Sequence, residues 1–241
     1  MEKKMDMHVP FIGRSKEFNT ISEIIALPKG IYVICIGGDG GIGKSRLLRE
    51  TRDLQQISYE KTKATIILDF DDFTYSTPEN VRLKISQLFA PDAYKEYFRT
   101  EKDYQKIQDS DVSVVTKREF KQKVDDVFID CFNTAARKKR IVLYFDTTDK
   151  LTEDHEVKKN LLTIIPKLHN TVILLAGRNV YDFHKSFQNK INNENLLLME
   201  LRPFSEEESR QYLSKKAKIR HVTIKEELIE KLIFLAEGKP I

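Results

Sequence analysis

The sequence predicts an α/β protein in which helices cover both faces of a mostly parallel sheet. Two observations indicate this fold. Five short apolar segments have the length and composition of buried strands, and segments with helical periodicity separate them. Five of the nine glycines of the 241-residue chain lie between Gly37 and Gly43, directly after the first apolar segment. Such glycine-rich turns between a strand and a helix are typical of phosphate-binding sites.

The first strand and the turn after it carry the strongest motif. The apolar run from Ile31 to Ile36 predicts a buried parallel strand. The next residues fit the pattern G-x-x-x-x-G-K-S/T without a mismatch, and a helical pattern follows. Glycines without Cβ atoms let backbone N–H groups turn towards a polyphosphate. Lys44 is expected to reach the β- and γ-phosphates, and the Ser45 hydroxyl is expected to ligate Mg²⁺. The predicted nucleotide contacts in this loop are Gly38, Asp39, Gly40, Gly41, Ile42, Gly43, Lys44, Ser45 and Arg46.

An acid at the end of a second buried strand supplies the second half of such a site. The apolar run from Ile141 to Phe145 ends in Asp146. The carboxyl end of a parallel strand faces the ligand crevice, so Asp146 is expected to hold Mg²⁺ together with Ser45. A plain turn aspartate is the alternative interpretation.

The remaining elements complete an alternating pattern of strands and helices. Further strands are predicted at Ala64–Asp69, Thr171–Ala176 and Asn195–Leu201. Helices are predicted over residues 76–89, 117–140 and 157–168, with a charged helical insertion over 93–110 and a polar loop over 181–195. The alternation favours a doubly wound, mostly parallel five-stranded sheet.

Four short motifs in a fixed order narrow the choice of protein family. The chain carries Phe-Ile-Gly-Arg at residues 11–14, Gly-Arg at 177–178, Leu-Arg-Pro-Phe-Ser at 201–205, and Gly-Lys-Pro at 238–240. Together with the glycine-rich loop, they resemble the STAND ATPases, the signalling NTPases of the AP-ATPase and NACHT type, within the ASCE division of P-loop proteins. Defence signalling, including bacterial antiviral defence, is what the resemblance implies about biological role.

The resemblance also implies the sheet order and several residue roles. It implies the strand order 5-1-4-3-2. It places Phe11, Ile12, Gly13 and Arg14 around the adenine, and Arg178 near the terminal phosphate. It assigns Pro203, Phe204 and Pro240 to a helical lid that closes over the base. The predicted catalytic residues are Lys44, Asp146, Asp149 and Arg178.

The sequence departs from the family pattern in two places. Thr147 follows Asp146 where many relatives carry a second acid that orients the attacking water. Asp149 takes that role if the strand ends in a helical turn, and otherwise hydrolysis is slow. Asp69, Asp71 and Asp72 are a further acidic group, for which a solvated strand end is the favoured interpretation. The chain also stops just after Pro240, so we expect a P-loop domain over residues 1–202 and the start of a truncated lid over 203–241.

Composition excludes other classes of protein. The formal net charge of +4 is small for a chain of this length and does not require a nucleic-acid partner. Two distant cysteines favour a reducing, cytoplasmic location, and we expect no membrane association. The expected ligands are ATP or ADP with Mg²⁺, and the expected partners are further copies of the chain and an effector domain. The alternatives are a DNA-binding AAA+ ATPase of the replication-initiator type and a nucleotide-locked scaffold without turnover.

Overall fold

The computed structural model describes residues 11–27, 29–58, 62–64 and 67–240, of which 54–58 and 62–64 are described by their backbone alone. Within these ranges, a parallel sheet forms the centre of the molecule. The strands are β1 (Ile31–Gly37), β2 (Thr62–Ala64), β3 (Leu68–Asp69), β4 (Arg140–Asp146), β5 (Thr171–Ala176) and β6 (Leu196–Glu200). None of the described helices combines the length and the apolar character needed to cross a bilayer.

The strand order is β2-β4-β5-β1-β6, and β3 pairs with the far end of β4. β2 and β3 both lie beside β4, at Thr62↔Arg140 and Leu68↔Phe145, and together they make one interrupted edge strand. All pairings are parallel. Counting β2 and β3 as one strand, the order is 2-3-4-1-5. The predicted fold class and sheet order are therefore confirmed.

Helices cover both faces of this sheet. Their bounds are α1 (Ser15–Ala26), α2 (Lys44–Ser58), α3 (Pro78–Ser86), α4 (Lys95–Gln108), α5 (Val114–Ala135), α6 (Glu156–Ile164), α7 (Val180–Phe187), α8 (Glu206–Ile219) and α9 (Glu226–Ala236). One apolar cluster contains Val33, Leu143 and Ile173, and the other contains Ile34, Val142 and Leu174. Consecutive strand residues thus point into opposite layers, as a doubly wound sheet requires.

Two predicted segments differ from the structure. The prediction of a polar loop over 181–195 is wrong, because residues 180–187 form α7. Val180, Phe183 and Phe187 are buried at helical spacing on its inner face, and this periodicity was hidden by the polar residues between them. The long helix predicted over 117–140 begins earlier, at Val114, where the Ser113 side chain caps the Thr116 amide.

The charged insertion packs through a buried ion cluster. Arg82 of α3 is almost fully buried and donates to Asp125 of α5 at 2.7 Å and to Glu101 of α4 at 3.2 Å. The Tyr97 hydroxyl also donates to Glu101, at 3.0 Å. Removing one partner of such a cluster leaves a buried charge uncompensated, so the cluster fixes how these three helices meet.

The carboxyl-terminal helices pack much less deeply. α8 begins with a capping box, in which Ser205 and Glu208 satisfy each other's backbone amides. Ser209 and Leu213 are its buried residues, whereas α9 has no buried residue. The domain boundary between residues 202 and 203 remains a prediction.

Candidate functional site

The glycine-rich loop connects β1 to α2 at the carboxyl edge of the sheet. Its shape depends on positions with a left-handed backbone. Gly38 has φ +133°, and a Cβ there would lie 2.8 Å from the Leu201 carbonyl oxygen, so only glycine fits. The Lys44 ammonium folds over the loop and donates to the Gly38 and Asp39 carbonyls at 2.6 and 2.8 Å. The loop therefore forms a compact cradle with a cation at its mouth.

Lys44 lies among the other charged groups predicted for the site. Burial lowers the pKa of its ammonium, the Asp149 carboxylate opposes this shift, and the Arg178 guanidinium adds to it. Side chains act on one another in this way only at short range. The β1–α2 loop, the end of β4 and the end of β5 thus bring Lys44, Asp149 and Arg178 together.

Ser45 and Asp146 meet at the base of the cradle. Burial raises the pKa of the Asp146 carboxyl, while hydrogen bonds from the Ser45 hydroxyl and the Thr147 amide oppose the shift. The Thr147 amide donates to Asp146 Oδ1 at 2.9 Å. A hydroxyl and a carboxylate side by side are oxygen ligands of the kind that Mg²⁺ prefers. The residues present therefore fit the metal that the sequence predicts.

The acidic segment after β3 lies at the same edge of the sheet. Asp69 is aligned with Asp146 in the β3–β4 pairing, and its charge contributes to the raised pKa of Asp146. Asp71 and Asp72 lie further out and are exposed. Asp69 is thus a near neighbour of the metal position, and the other two acids belong to the solvated surface.

The chain after Asp146 turns sharply. Thr147 has φ +55°, an uncommon conformation for a residue with a branched side chain. A 3₁₀ turn from Thr148 to Lys150 follows, so the strand does end in a helical turn. The turn places Asp149 where its Oδ1 accepts the Arg178 amide at 3.1 Å. This hydrogen bond therefore links the turn after β4 to the end of β5, beside Lys44.

Gly177 and Thr148 hold this junction together. The buried Thr148 hydroxyl donates to the Ala176 carbonyl at 3.2 Å. A Cβ on Gly177 would lie 2.4 Å from that hydroxyl oxygen, so the close approach requires glycine. The Arg178 side chain then reaches over the loop, with Nη2 3.1 Å from the position of a Cβ on Gly40.

A cavity of about 260 Å³ adjoins the cradle at Gly41, Ile42 and Gly43. Three parts of the chain surround it: the segment before α1, the glycine-rich loop, and the helices after β6. Its lining includes Phe11, Ile12, Arg14, Gly41, Ile42, Gly43, Arg46, Phe204, Tyr212 and Pro240. Apolar and aromatic walls beside a phosphate cradle suit a purine base.

Arg14 connects all three parts of this cavity. It is only 8% exposed and has a left-handed backbone, with φ +64°. Its Nη2 donates to the Ile42 carbonyl at 3.1 Å, and its guanidinium carbon lies 4.8 Å from the centre of the Phe204 ring. Burial lowers the pKa of Arg14, and the neighbouring Glu17 and Glu208 carboxylates oppose the shift. The cation is thus held between the loop and the segment that leads into α8.

The end of the described chain closes the same cavity. The Phe204 amide donates to the Gly238 carbonyl at 2.7 Å. Gly238 has φ +73°, and a Cβ there would lie 2.6 Å from the Phe204 carbonyl oxygen. Pro240 Cγ lies 3.6 Å from the position of a Cβ on Gly43. The segment after α9 therefore runs across the start of α8 and ends against the glycine-rich loop.

The predicted site residues fall into two adjoining groups. Lys44, Ser45, Asp146, Asp149 and Arg178 gather at the phosphate end. The predicted base contacts that line the cavity are Phe11, Ile12, Arg14, Phe204 and Pro240, whereas Gly13 lies against the Phe204 ring. Pro203 stands beside Gly238, where it contacts the closing segment rather than the cavity.

Sequence reasoning missed two residues, Tyr212 and Thr148. Tyr212 lies one helical turn after the buried Ser209 of α8, so the inner face of that helix carried the signal. Thr148 carried no signal, because its contact with Ala176 depends on the turn at Thr147.

Comparison with known proteins identifies the family. The family described as "KAP family P-loop domain" matches residues 14–177, which is more than half of the chain. No curated protein matches the sequence.

Solved structures show the fold alone, because all identities are low. The Walker-type ATPase PABY2304 of Pyrococcus abyssi is 18% identical with a TM-score of 0.60, over 95% of this chain and 65% of that one. The ORC2 protein of Aeropyrum pernix (ADPNP-ADP complexes) is 12% identical with a TM-score of 0.55, over 88% and 55%. AMPPCP-bound DnaA of Aquifex aeolicus is 16% identical with a TM-score of 0.52, over 96% and 59%. The chain thus spans less than two thirds of each of these proteins.

Proposed function

The chain belongs to the KAP family of P-loop domains, and we propose that it is an ATP- and ADP-binding switch of the STAND type. The nucleotide state would set the position of the lid formed by α8 and α9. The observation that carries the proposal is the contact of Arg14 with both the glycine-rich loop and Phe204. A nucleotide that fills the cavity between them would touch the P-loop domain and the lid at once. Differential contact of this kind is what allows a ligand to shift a conformational equilibrium.

The phosphate end supplies the hydrolytic groups. Backbone amides of the loop and the Lys44 ammonium would hold the β- and γ-phosphates. Ser45 and Asp146 would hold Mg²⁺, which neutralises phosphate charge when bound. Asp149 would orient the attacking water and take its proton as the water oxygen bonds to the terminal phosphorus and the bond to the bridging oxygen breaks. Arg178 would stabilise the charge of the departing groups.

A nucleotide-locked scaffold is the second candidate function, and Thr147 is the observation that favours it. Many relatives carry a second acid at the position that Thr147 occupies here, directly after the strand's last aspartate. In this chain the next acid is Asp149, two residues after Thr147. Slow or absent turnover would then make bound nucleotide a structural element. A measured ATP hydrolysis rate that disappears in Asp146→Ala would exclude this candidate.

The decisive test of the proposal is nucleotide binding by the loop. Lys44→Ala removes the ammonium group that folds over the glycine-rich loop, so we expect at least about 100-fold weaker binding of ATP. Equilibrium binding of a fluorescent ATP analogue measures this. Lys106→Ala is the control, because Lys106 is an exposed lysine of α4 paired with Asp103. Equal affinity of Lys44→Ala and the parent would refute the assignment.

Signalling, assembly and defence remain expectations within this proposal. An ADP-bound closed lid that opens on exchange for ATP would expose new surface for assembly with other copies. The size of the protein in the ADP and ATP states, measured by sedimentation, tests that part separately from binding.

A further inference from the structure

Two surface features with opposite charge lie on different elements of the molecule. The first, the acidic knob, consists of Asp71, Asp72 and Phe73 in the segment after β3. Phe73 is 91% exposed, which is extreme for a phenyl ring. Asp72 accepts the Thr74 amide at 2.9 Å, and this backbone hydrogen bond lowers the pKa of its carboxyl. The knob thus offers an apolar side chain beside an ionised carboxylate.

The second feature, the basic groove, lies on the lid. It is a cavity of about 310 Å³ between the carboxyl-terminal half of α8 and α9. Its apolar lining includes Leu213, Val222, Ile224 and Leu232, and its cations are Lys216 and Arg220. Lys215 and Lys218 are exposed on the same stretch of α8. The groove is large enough for an aromatic ring and carries the charge opposite to that of the knob.

The apolar surface continues beyond the groove along α9. Leu228 and Leu235 are spaced four and three residues from Leu232, so they share its face of the helix. Both are strongly exposed, at 49% and 74%. A helix that exposes an apolar stripe next to a pocket is typical of a surface that binds another protein.

The sheet order determines how copies of the chain would use these features. β3 lies beyond β4 at one edge of the sheet, whereas β6, which leads into α8, is the strand at the other edge. The knob and the groove therefore follow strands at opposite edges of the sheet, so each is available to meet its complement on a neighbour. Such a contact uses two different patches and is head-to-tail, so it continues into a ring or a filament.

We propose that the Phe73 ring of one copy inserts into the lid groove of the next copy, with Asp71 and Asp72 facing Lys216 and Arg220. The occupant of the groove is thus a second copy of this chain, because the acidic knob has the charge opposite to that of the groove. A nucleic acid could match the groove, but its negative charge would not match the knob. Asp71 also pairs with Lys150 at 3.0 Å, and Lys150 adjoins Asp149. The neighbouring lid would therefore sit close to the hydrolytic end of the nucleotide site. The inference rests on the proposed switch, because it identifies the partner that the switch would assemble with.

Two complementary variants test the head-to-tail geometry. Phe73→Asp destroys the knob and keeps the groove, while Val222→Asp places an acid in the groove and keeps the knob. Val222 is 56% exposed, so neither change disturbs the core. Each variant alone is expected to self-associate at least about 30-fold more weakly than the parent, the effect typical of a buried aromatic anchor. Mixed together, they retain one intact knob–groove pair and are expected to form 1:1 dimers that grow no further.

Sedimentation velocity in the presence of a non-hydrolysable ATP analogue measures these species, and fluorescence of a labelled analogue measures binding in the same samples. Val114→Asp is the matched control, since Val114 is 83% exposed on α5 and belongs to neither feature.

Normal assembly of either variant, or dimers that each variant forms by itself, would overturn the inference. So would a parent that binds nucleotide and stays monomeric. A parent that fails to bind nucleotide would instead overturn the proposed function, so the two failures are distinguishable. Assembly that depends on added DNA would identify a nucleic acid as the occupant and would also overturn the inference.

Discussion

Strands β4 and β5 lead into the phosphate end of the site, whereas helices α8 and α9 follow the segment that lines its base end, and the two pairs differ sharply in packing. Every residue of β4 and β5 is buried. α9 has no buried residue, and Phe234 near its end is 83% exposed. The phosphate end is therefore built on fully buried strands, whereas the base end is closed by the chain around helices with few buried residues. Regions with few buried contacts open at the lowest free energy, so we expect α8 and α9 to be the elements that a nucleotide moves.

This contrast predicts that variants at the two ends change different quantities. Changes at the ends of β4 and β5 should reduce turnover and leave lid closure intact. Changes at the lid contacts should weaken nucleotide binding and leave the chemical step intact in the fraction that binds.

The largest effect is expected for Asp149→Asn. The amide still accepts the Arg178 N–H, so the junction of β4 and β5 is kept, but it cannot take a proton from water. We expect kcat for ATP hydrolysis to fall by about 10²- to 10⁴-fold with unchanged nucleotide affinity. Steady-state phosphate release measures this. Asp154→Asn, at a fully exposed acid before α6, is the control. An unchanged kcat would remove Asp149 from the mechanism.

Gly238→Ala should act on the base end alone. A left-handed backbone costs a non-glycine residue about 1–2 kcal/mol, and the added methyl would collide with the Phe204 carbonyl. We expect about 5- to 30-fold weaker nucleotide binding. Calorimetric titration with ADP measures it, and the melting temperature of the core should change little. Tight binding in this variant would show that the closing segment does not contribute to the site.

Arg14→Lys is expected to have a smaller effect of the same kind. Lysine keeps the positive charge but lacks the planar guanidinium that stacks on Phe204 while donating to Ile42. Loss of that stacking corresponds to about 1 kcal/mol, or roughly 5-fold in ADP affinity. Arg99→Lys, at an exposed arginine of α4, is the control. A larger loss of turnover than of affinity would place Arg14 at the phosphate end instead.

The smallest effect concerns stability and pH. Because burial raises the folded-state pKa of Asp146, ionisation of this group opposes folding once the pH exceeds its ordinary pKa of about 3.9. Below that pH the carboxyl is protonated in both states and the penalty vanishes. Asp146→Asn, without Mg²⁺, should therefore melt a few degrees higher than the parent at neutral pH, and the gain should fade at low pH.

Thermal melts between pH 3 and pH 7 in the presence of a chelator measure this difference. Asp126→Asn, at an exposed acid of α5, should show no such pH dependence. A variant that is less stable than the parent at neutral pH would mean that the hydrogen bonds from Ser45 and Thr147 outweigh the burial.

The sequence predicted the sheet because its strands depend on local patterns, and the same patterns predict which residues lie beside one another at the phosphate end. Apolar runs define β1, β4 and β5, and the residues that follow them reach the same edge of a parallel sheet whatever the loops do. α7 escaped prediction because its inner face has only three large apolar residues among polar ones. Tyr212 and Thr148 escaped because their roles arise from contacts between distant segments. The left-handed turn at Thr147 also had no sequence signal, since threonine rarely adopts it.

We propose that nucleotide in one cavity holds the weakly packed lid against the P-loop domain. Amide hydrogen exchange of the whole chain, compared without nucleotide and with ADP, tests it most directly. We predict that ADP slows exchange throughout α8 and α9 as well as in the glycine-rich loop, while β4 and β5 stay protected in both conditions. Slowed exchange confined to the loop, with α8 and α9 unchanged, would contradict the claim.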